Sequence, residues 1–204
     1  MELHLISNGK QRMEEFCDIA SLIQDYVSYF HIRERTWTAK DIYETVKLLA
    51  AKGVPLSKII INDRIDVGVA MKVAGVQLAY HSMPTSLVKA TFPTIRIGSS
   101  IHSLEDLKIA EESGANFVLY GHIFETTSKP GLPAKGLTEL RNITKNASIP
   151  VIAIGGIKPH NIRKVIEAGV AGVAIMSGIL EARNPLEAVK TYSSILLGKK
   201  GGQL

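Results

Sequence analysis

The chain has 204 residues, 46% of them apolar, with one cysteine and a formal net charge of +5. That length carries one sizeable core and fits a single domain. One cysteine excludes an internal disulfide and a thiolate metal site, no run reaches about 18 apolar residues as a membrane helix would, and the amino terminus does not read as a secretory leader, so the expected setting is reducing and cytoplasmic.

Glu2 to Ile6 alternates and then runs apolar, as a first strand does, and Ser7-Asn8-Gly9 turns it. Met13, Phe16, Cys17, Ala20 and Ile23 recur at three- and four-residue spacing, the stripe of an amphipathic helix. Tyr29 to Arg33 forms a second strand. Thr38-Ala39-Lys40-Asp41 opens a helix with a capping residue and an acidic first turn. Ile42, Val46, Leu49 and Ala50 supply its buried face. Further strands are expected at Lys58 to Ile61, Val76 to Ala79, Ile95 to Gly98, Phe117 to Tyr120, Val151 to Ile154 and Val173 to Met176. Helices follow at about Asp66 to Ala74, Pro84 to Ala90, Ser103 to Gly114, Leu137 to Asn146, Pro159 to Ala168 and Pro185 to Leu197. Regular alternation of short apolar strands with helices means a parallel sheet covered by helices. Eight such units predict a (β/α)₈ TIM barrel over residues 1–197, with 198–204 as a disordered tail. An open doubly wound sheet is the alternative, but no Gly-x-Gly-x-x-Gly follows the first strand.

The working face of such a barrel is the carboxyl end of its strands. The sixth strand ends at Gly121-His122, and a polar, Pro/Gly-rich loop of about fifteen residues follows, long enough to be functional. His122 is the candidate proton shuttle, since histidine exchanges protons near neutrality, and the loop is a candidate partial lid. The second strand ends in His31-Ile32-Arg33-Glu34-Arg35. Alternation puts His31, Arg33 and Arg35 on one side, where two arginines need an anion or a carboxylate. Asn62 and Asp63 close the third strand, and Asp63 is expected to hold Arg33 or Arg35. Ser99 follows the fifth. His4 and His160 read as surface or structural. Gly155-Gly156 after strand seven and Met176-Ser177-Gly178 after strand eight form the loops that often cup a phosphate in barrels. No paired carboxylates occur at these strand ends, so no metal centre is expected. The dispersed positive charge, without aromatic interleaving, points to an anionic small molecule and away from nucleic acid.

These residues resemble a known family. Asn62-Asp63-Arg64, Tyr120-Gly121-His122-Ile123-Phe124-Glu125-Thr126, Ser128-Lys129, Val151 to Ile157 and Ala174-Ile175-Met176-Ser177-Gly178 are similar to the thiamin phosphate synthase superfamily, and look closest to its TenI branch of bacterial thiazole tautomerases. Synthases end their second strand in Gln-x-Arg-x-Lys and carry two aspartates for Mg²⁺. This chain has His31, Arg33 and Arg35 there, and only Asp63 of the two aspartates; Tyr80 to Pro84 lacks the second. The resemblance implies a cofactor-independent isomerase, a homodimer. It would convert the exocyclic-alkene carboxythiazole phosphate to its aromatic tautomer, with His122 moving the proton. It assigns substrate contacts to Arg33, Arg35, His31, Asn62, Asp63, Ser99, Thr126, Ser128, Lys129, Gly155, Gly156, Met176, Ser177 and Gly178. The rival implications are a Mg²⁺-dependent thiamin phosphate synthase and a non-catalytic regulatory protein of the same branch.

Overall fold

The computed structural model describes residues 1–126 and 131–198. Eight parallel strands close into one barrel in chain order: β1 (Glu2–Ile6), β2 (Tyr29–Ile32), β3 (Ile59–Asn62), β4 (Gly75–Leu78), β5 (Arg96–Ile101), β6 (Phe117–Gly121), β7 (Val151–Ile154) and β8 (Gly172–Ile175). The helices around it are α1 (Met13–Ile23), α2 (Ala39–Ala51), α3 (Ile65–Ala70), α4 (Thr85–Thr91), α5 (Leu104–Glu112), α6 (Gly136–Asn146), α7 (Ile162–Ile166), α8 (Ser177–Leu180) and α9 (Pro185–Leu196). The expected TIM barrel is therefore the fold. None of the helices among the described residues is long and apolar enough to cross a membrane. Of the expected tail, only Gly198 is described.

Local chemistry explains the element ends. Asp41 closes a capping box on Thr38: Thr38 Oγ1 accepts from Asp41 N at 3.2 Å, and Asp41 Oδ2 accepts from Thr38 N at 2.8 Å. Such a cap stabilises a helix by about 1 kcal/mol. β5 runs three residues beyond the expected Gly98, because Ser99 and Ser100 pair with Val118 and Leu119 of β6. Ladder pairing overrides the weak strand preference of serine. α7 starts later than expected, because Asn161 ties up the preceding turn: its Oδ1 accepts from Lys158 N at 2.8 Å and its Nδ2 donates to Gly156 O at 3.0 Å. α3 ends at Ala70 where Lys72 takes a positive φ of 52° and turns the chain into β4.

Strand alternation divides the core. Leu3, Leu5, Phe30, Ile32, Ile59, Ile61, Val118 and Val173 face the helices and join the large outer core. Ile6, Ile60, Phe117, Leu119, Ile152 and Ala174 fill the barrel itself. Each large aliphatic chain so buried contributes about 1.5–3 kcal/mol. The lower barrel is polar. Arg96 packs its guanidinium 4.6 Å from the Tyr29 ring centroid and 4.9 Å from that of Phe117, with Nη2 3.5 Å from Glu2 Oε1. His4 is fully buried within the barrel, its ring 5.0 Å from Tyr29 and 5.8 Å from Phe117, so of the two expected placements the structural one holds.

Candidate active site at the carboxyl end of the barrel

His122 follows β6 directly and is only 6% exposed. The Gly121–His122 peptide is cis. Ile123 N donates to Ile154 O and Phe124 N to Gly155 O, each at 3.0 Å, which stitches the start of the loop to the end of β7. The loop returns where Lys135 N donates to His122 O at 2.9 Å and Gly136 N to Ile123 O at 3.0 Å. These bonds hold the backbone of His122 from both sides. On the ring, Nε2 lies 3.1 Å from Leu132 O. A carbonyl only accepts, so Nε2 carries a hydrogen, and an imidazole with one hydrogen there has its lone pair at Nδ1. That Nδ1 is buried and has no partner among the described residues.

Gly155 and Gly156 have φ of 99° and 66°, a conformation that side chains disfavour. They also have no room for one. A Cβ on Gly155 would lie 2.5 Å from His122 Cα and closer still to its Cβ. A Cβ on Gly156 would lie 2.5 Å from Glu125 O and 2.7 Å from Phe124 Cβ. The glycine pair therefore does two things: it lets His122 seat against β7, and it bares backbone amides beside that histidine. Met176 precedes α8, whose first residues, Ser177 and Gly178, are exposed at the same end of the barrel. The two loops are braced by Tyr192 of α9, which sequence patterning does not single out. Its hydroxyl donates to Ile157 O at 3.2 Å, and a Cβ on Gly178 would stand 2.5 Å from the Tyr192 hydroxyl oxygen. Burial pushes the Tyr192 hydroxyl up to about 12, so it remains a donor.

Arg33 is half-buried at the end of β2, its amide donating to Ser7 Oγ at 2.8 Å. Burial, and then the neighbouring Arg35, make its positive charge costly, with Asp63 and Glu34 offsetting part of that. Neither arginine has a carboxylate within ion-pair distance among the described residues. Asp63 is engaged elsewhere. Its carboxylate takes His81 Nε2 at 3.1 Å and a short hydrogen bond from Ser82 Oγ, latching the β4–α4 loop. Glu34 accepts from Gly9 N at 3.2 Å. Asp63 thus does not hold the arginines, and a half-buried guanidinium is left for an anion to neutralise.

Two further expectations are corrected. Ser99 lies inside β5, not beyond it, and faces outward, its Oγ 2.9 Å from Thr85 Oγ1 on α4. Its neighbour Ser100 faces the barrel and accepts from Gln77 Nε2 at 3.1 Å. His31 does not share the rim with Arg33 and Arg35. It is fully buried, with Nε2 2.9 Å from His4 Nδ1, while Arg35 is exposed where the chain has left the strand. Alternation carried three residues past the end of β2 misplaces both. Asn62, the last residue of β3, does reach the rim, half-buried, with Oδ1 buried and unpartnered among the described residues. Thr126 is half-buried at the edge of the loop; Ser128 and Lys129 lie outside the described residues. The described residues contain no cluster of three or more His, Cys, Asp or Glu able to hold a metal ion.

The comparisons with known proteins agree with this geometry at the level of family. A family described as thiamine monophosphate synthase matches residues 3–179. The chain is 35% identical over 202 residues to a thiamine-phosphate synthase of Clostridium acetobutylicum, covering 96% of this chain and 94% of that one. It is 33% identical over 181 residues to a putative thiamine-phosphate synthase 2 of Aquifex aeolicus, covering 88% and 97%. The solved thiamine phosphate pyrophosphorylase of Pyrococcus furiosus superposes with a TM-score of 0.82 at 29% identity, covering 98% of this chain and 97% of that one.

Proposed function

Because the chain belongs to the thiamine monophosphate synthase family, we propose that it serves thiamine biosynthesis as a thiazole tautomerase. It would convert the exocyclic-alkene carboxythiazole phosphate to the aromatic tautomer, and assembly as a homodimer belongs to the same reading. The observation that carries it is the buried His122 imidazole, whose Nδ1 lone pair has no partner and whose backbone rests on the Gly155-Gly156 turn. His122 Nδ1 takes the proton from the ring carbon that bears the carboxylate. The C–H electron pair moves into the ring and the exocyclic double bond shifts. The imidazolium, its Nε2–H held on Leu132 O, returns the same proton to the exocyclic carbon. No proton is gained or lost, and aromatisation drives the step. Arg33 holds the carboxylate, Arg35 adds charge behind it, and the amides at Gly155-Gly156 and Ser177-Gly178 hold the phosphate.

The second reading is thiamin phosphate synthase, favoured by the names of relatives 35% and 33% identical. Against it stand His31 and Arg35 in place of the synthase Gln and Lys. The residues also do not fit a two-aspartate Mg²⁺ site: Asp63 is bound to His81 and Ser82, and residues 80–84 contain no carboxylate. The deciding experiment supplies the purified protein with each substrate set. We expect tautomerisation of the carboxythiazole phosphate that falls about 10²–10⁴-fold in His122→Gln. Wild-type turnover in that variant, or Mg²⁺-dependent pyrophosphate release from the pyrimidine pyrophosphate and thiazole phosphate pair, would refute the proposal.

A further inference from the structure

Glu2, His4 and His31 stand in file inside the barrel. His4 Nε2 is 2.9 Å from Glu2 Oε2, and His4 Nδ1 is 2.9 Å from His31 Nε2. The file is enclosed by the rings of Tyr29 and Phe117, the latter 6.4 Å from His31 across the barrel. At its upper end Asn62 adjoins the His31 ring. In register His31 pairs with Ile60, so Asn62, two residues on, lies one layer nearer the rim. Two buried atoms at this junction have no partner among the described residues, His31 Nδ1 and Asn62 Oδ1.

Counting protons shows what pairing them would take. Two hydrogen bonds use one hydrogen each, Glu2 to His4 and His4 to His31, and a bond from His31 Nδ1 to Asn62 Oδ1 would need a third. With Glu2 ionised, two neutral imidazoles carry only two hydrogens between them. The carboxylate orients His4 with Nε2–H toward it, so His4 Nδ1 must accept from His31 Nε2–H. His31 Nδ1 is then an acceptor, as Asn62 Oδ1 is, so the two orphaned atoms cannot bond each other. Two changes relieve this. If Asn62 turns its amide, Nδ2 donates to His31 and Oδ1 faces the rim as an acceptor. If one proton enters the file, His31 Nδ1–H donates to Oδ1 and the Asn62 Nδ2 hydrogens remain available to the rim as donors. An anion at the rim accepts hydrogen bonds and selects the second state.

We propose that the Glu2–His4–His31 file is a proton-coupled support for Asn62: an anion binding beside Arg33 draws one proton into the file and locks Asn62 with its amide N–H toward the ligand. Glu2, His4 and His31 act here as positioning residues, and the ligand class is a phosphate or carboxylate. The charged and titratable groups facing the file are Glu2 on β1, which favours the proton, Arg96 on β5, which opposes it, and the Tyr29 hydroxyl, which hydrogen-bonds Arg96. Burial holds His31 well below the usual histidine range and lowers His4 as well. Without an anion the third proton is therefore absent at neutral pH, which leaves room for uptake.

The inference rests on the anion-binding rim of the proposed function and not on tautomerisation. The probe is sulfate, which does not titrate between pH 6 and 8. Calorimetric titration in buffers of different ionisation heat should show proton uptake of up to about one per site. Sulfate affinity should rise as pH falls, by up to about tenfold per unit at full coupling. Uptake should persist in His122→Gln, shrink in Glu2→Gln and vanish in His31→Gln. Where His31→Gln fails to fold, nitrogen NMR of the wild-type ring replaces it: sulfate should move His31 Nδ1 from a bare to a protonated shift. Uptake retained in His31→Gln, an unmoved Nδ1, or no sulfate binding would overturn the inference. Proton-coupled sulfate binding without turnover of the carboxythiazole phosphate would overturn the tautomerase reading and leave this one standing.

Discussion

Gly155→Ala tests whether the seat under His122 matters to catalysis separately from stability. The new methyl would lie 2.5 Å from His122 Cα and nearer to its Cβ, where carbon atoms in contact need about 3.5–4.0 Å. His122 must then move by about 1 Å or more, and a displacement of that size can cost about 10²-fold in rate. The backbone adds its own penalty, since φ of 99° disfavours a side chain by about 1–2 kcal/mol. Gly169→Ala is the matched control. Its φ is 85°, but the nearest atoms to its Cβ are Thr144 Oγ1 at 3.5 Å and Cβ at 3.7 Å, ordinary contacts. Both variants should lose the backbone term, lowering Tm by about 2–8 °C. Gly155→Ala should lose about 1–3 kcal/mol more from overpacking. Only Gly155→Ala should lose turnover, by about 10²-fold at a temperature where both are folded. Thermal unfolding by circular dichroism and initial rates on the carboxythiazole phosphate measure the two effects. Wild-type turnover in Gly155→Ala would show that the glycine does not seat the histidine.

Arg33→Gln should raise KM about 10–100-fold with a smaller change in kcat, because a charge-assisted hydrogen bond contributes about 1.5–3 kcal/mol; an unchanged KM would remove Arg33 from the anion site. Ser99→Ala should leave kcat/KM unchanged, since Ser99 Oγ faces Thr85 on α4; a loss of tenfold or more would return it to the site. Stability should fall on acidification below about pH 6.5. His4 and His31 are held below the usual histidine range by burial, so the unfolded chain binds more protons there and unfolding is favoured. Each histidine adds a slope of up to about 1.4 kcal/mol per pH unit between its unfolded and folded values. Glu2 is held low chiefly by its hydrogen bond to His4, so its contribution persists to below about 4.5 and is lost at lower pH. Denaturant midpoints between pH 8 and 4 read this directly, and a flat profile from 6.5 to 5 would contradict it.

The barrel was legible from the chain because its signals are local. Apolar runs such as Val151 to Ile154, helix starts such as Thr38 to Asp41 and glycine stops such as Gly169 act over a few residues, and repetition of eight units leaves few folds to choose from. The placement of His122, Arg33 and the two glycine loops at the carboxyl end of the barrel was legible for a related reason: each directly follows a strand. Positions decided by where a strand stops were not. Ser99 turned outward because pairing with β6 carried β5 on to Ile101, and Arg35 became exposed because β2 stopped at Ile32.

The polar interior needed the closed barrel. Glu2, His4 and His31 sit on neighbouring strands, and nothing in their spacing tells a stacked file from three surface groups. Closure brings Phe117 and Arg96 across from the far side and buries the rings, so His4 bonds both Glu2 and His31. The sequence determined which residues stand at each strand end; the tertiary structure decided which of them face one another, because hydrogen-bond partners separated by 27 residues are set by register and closure rather than by local pattern.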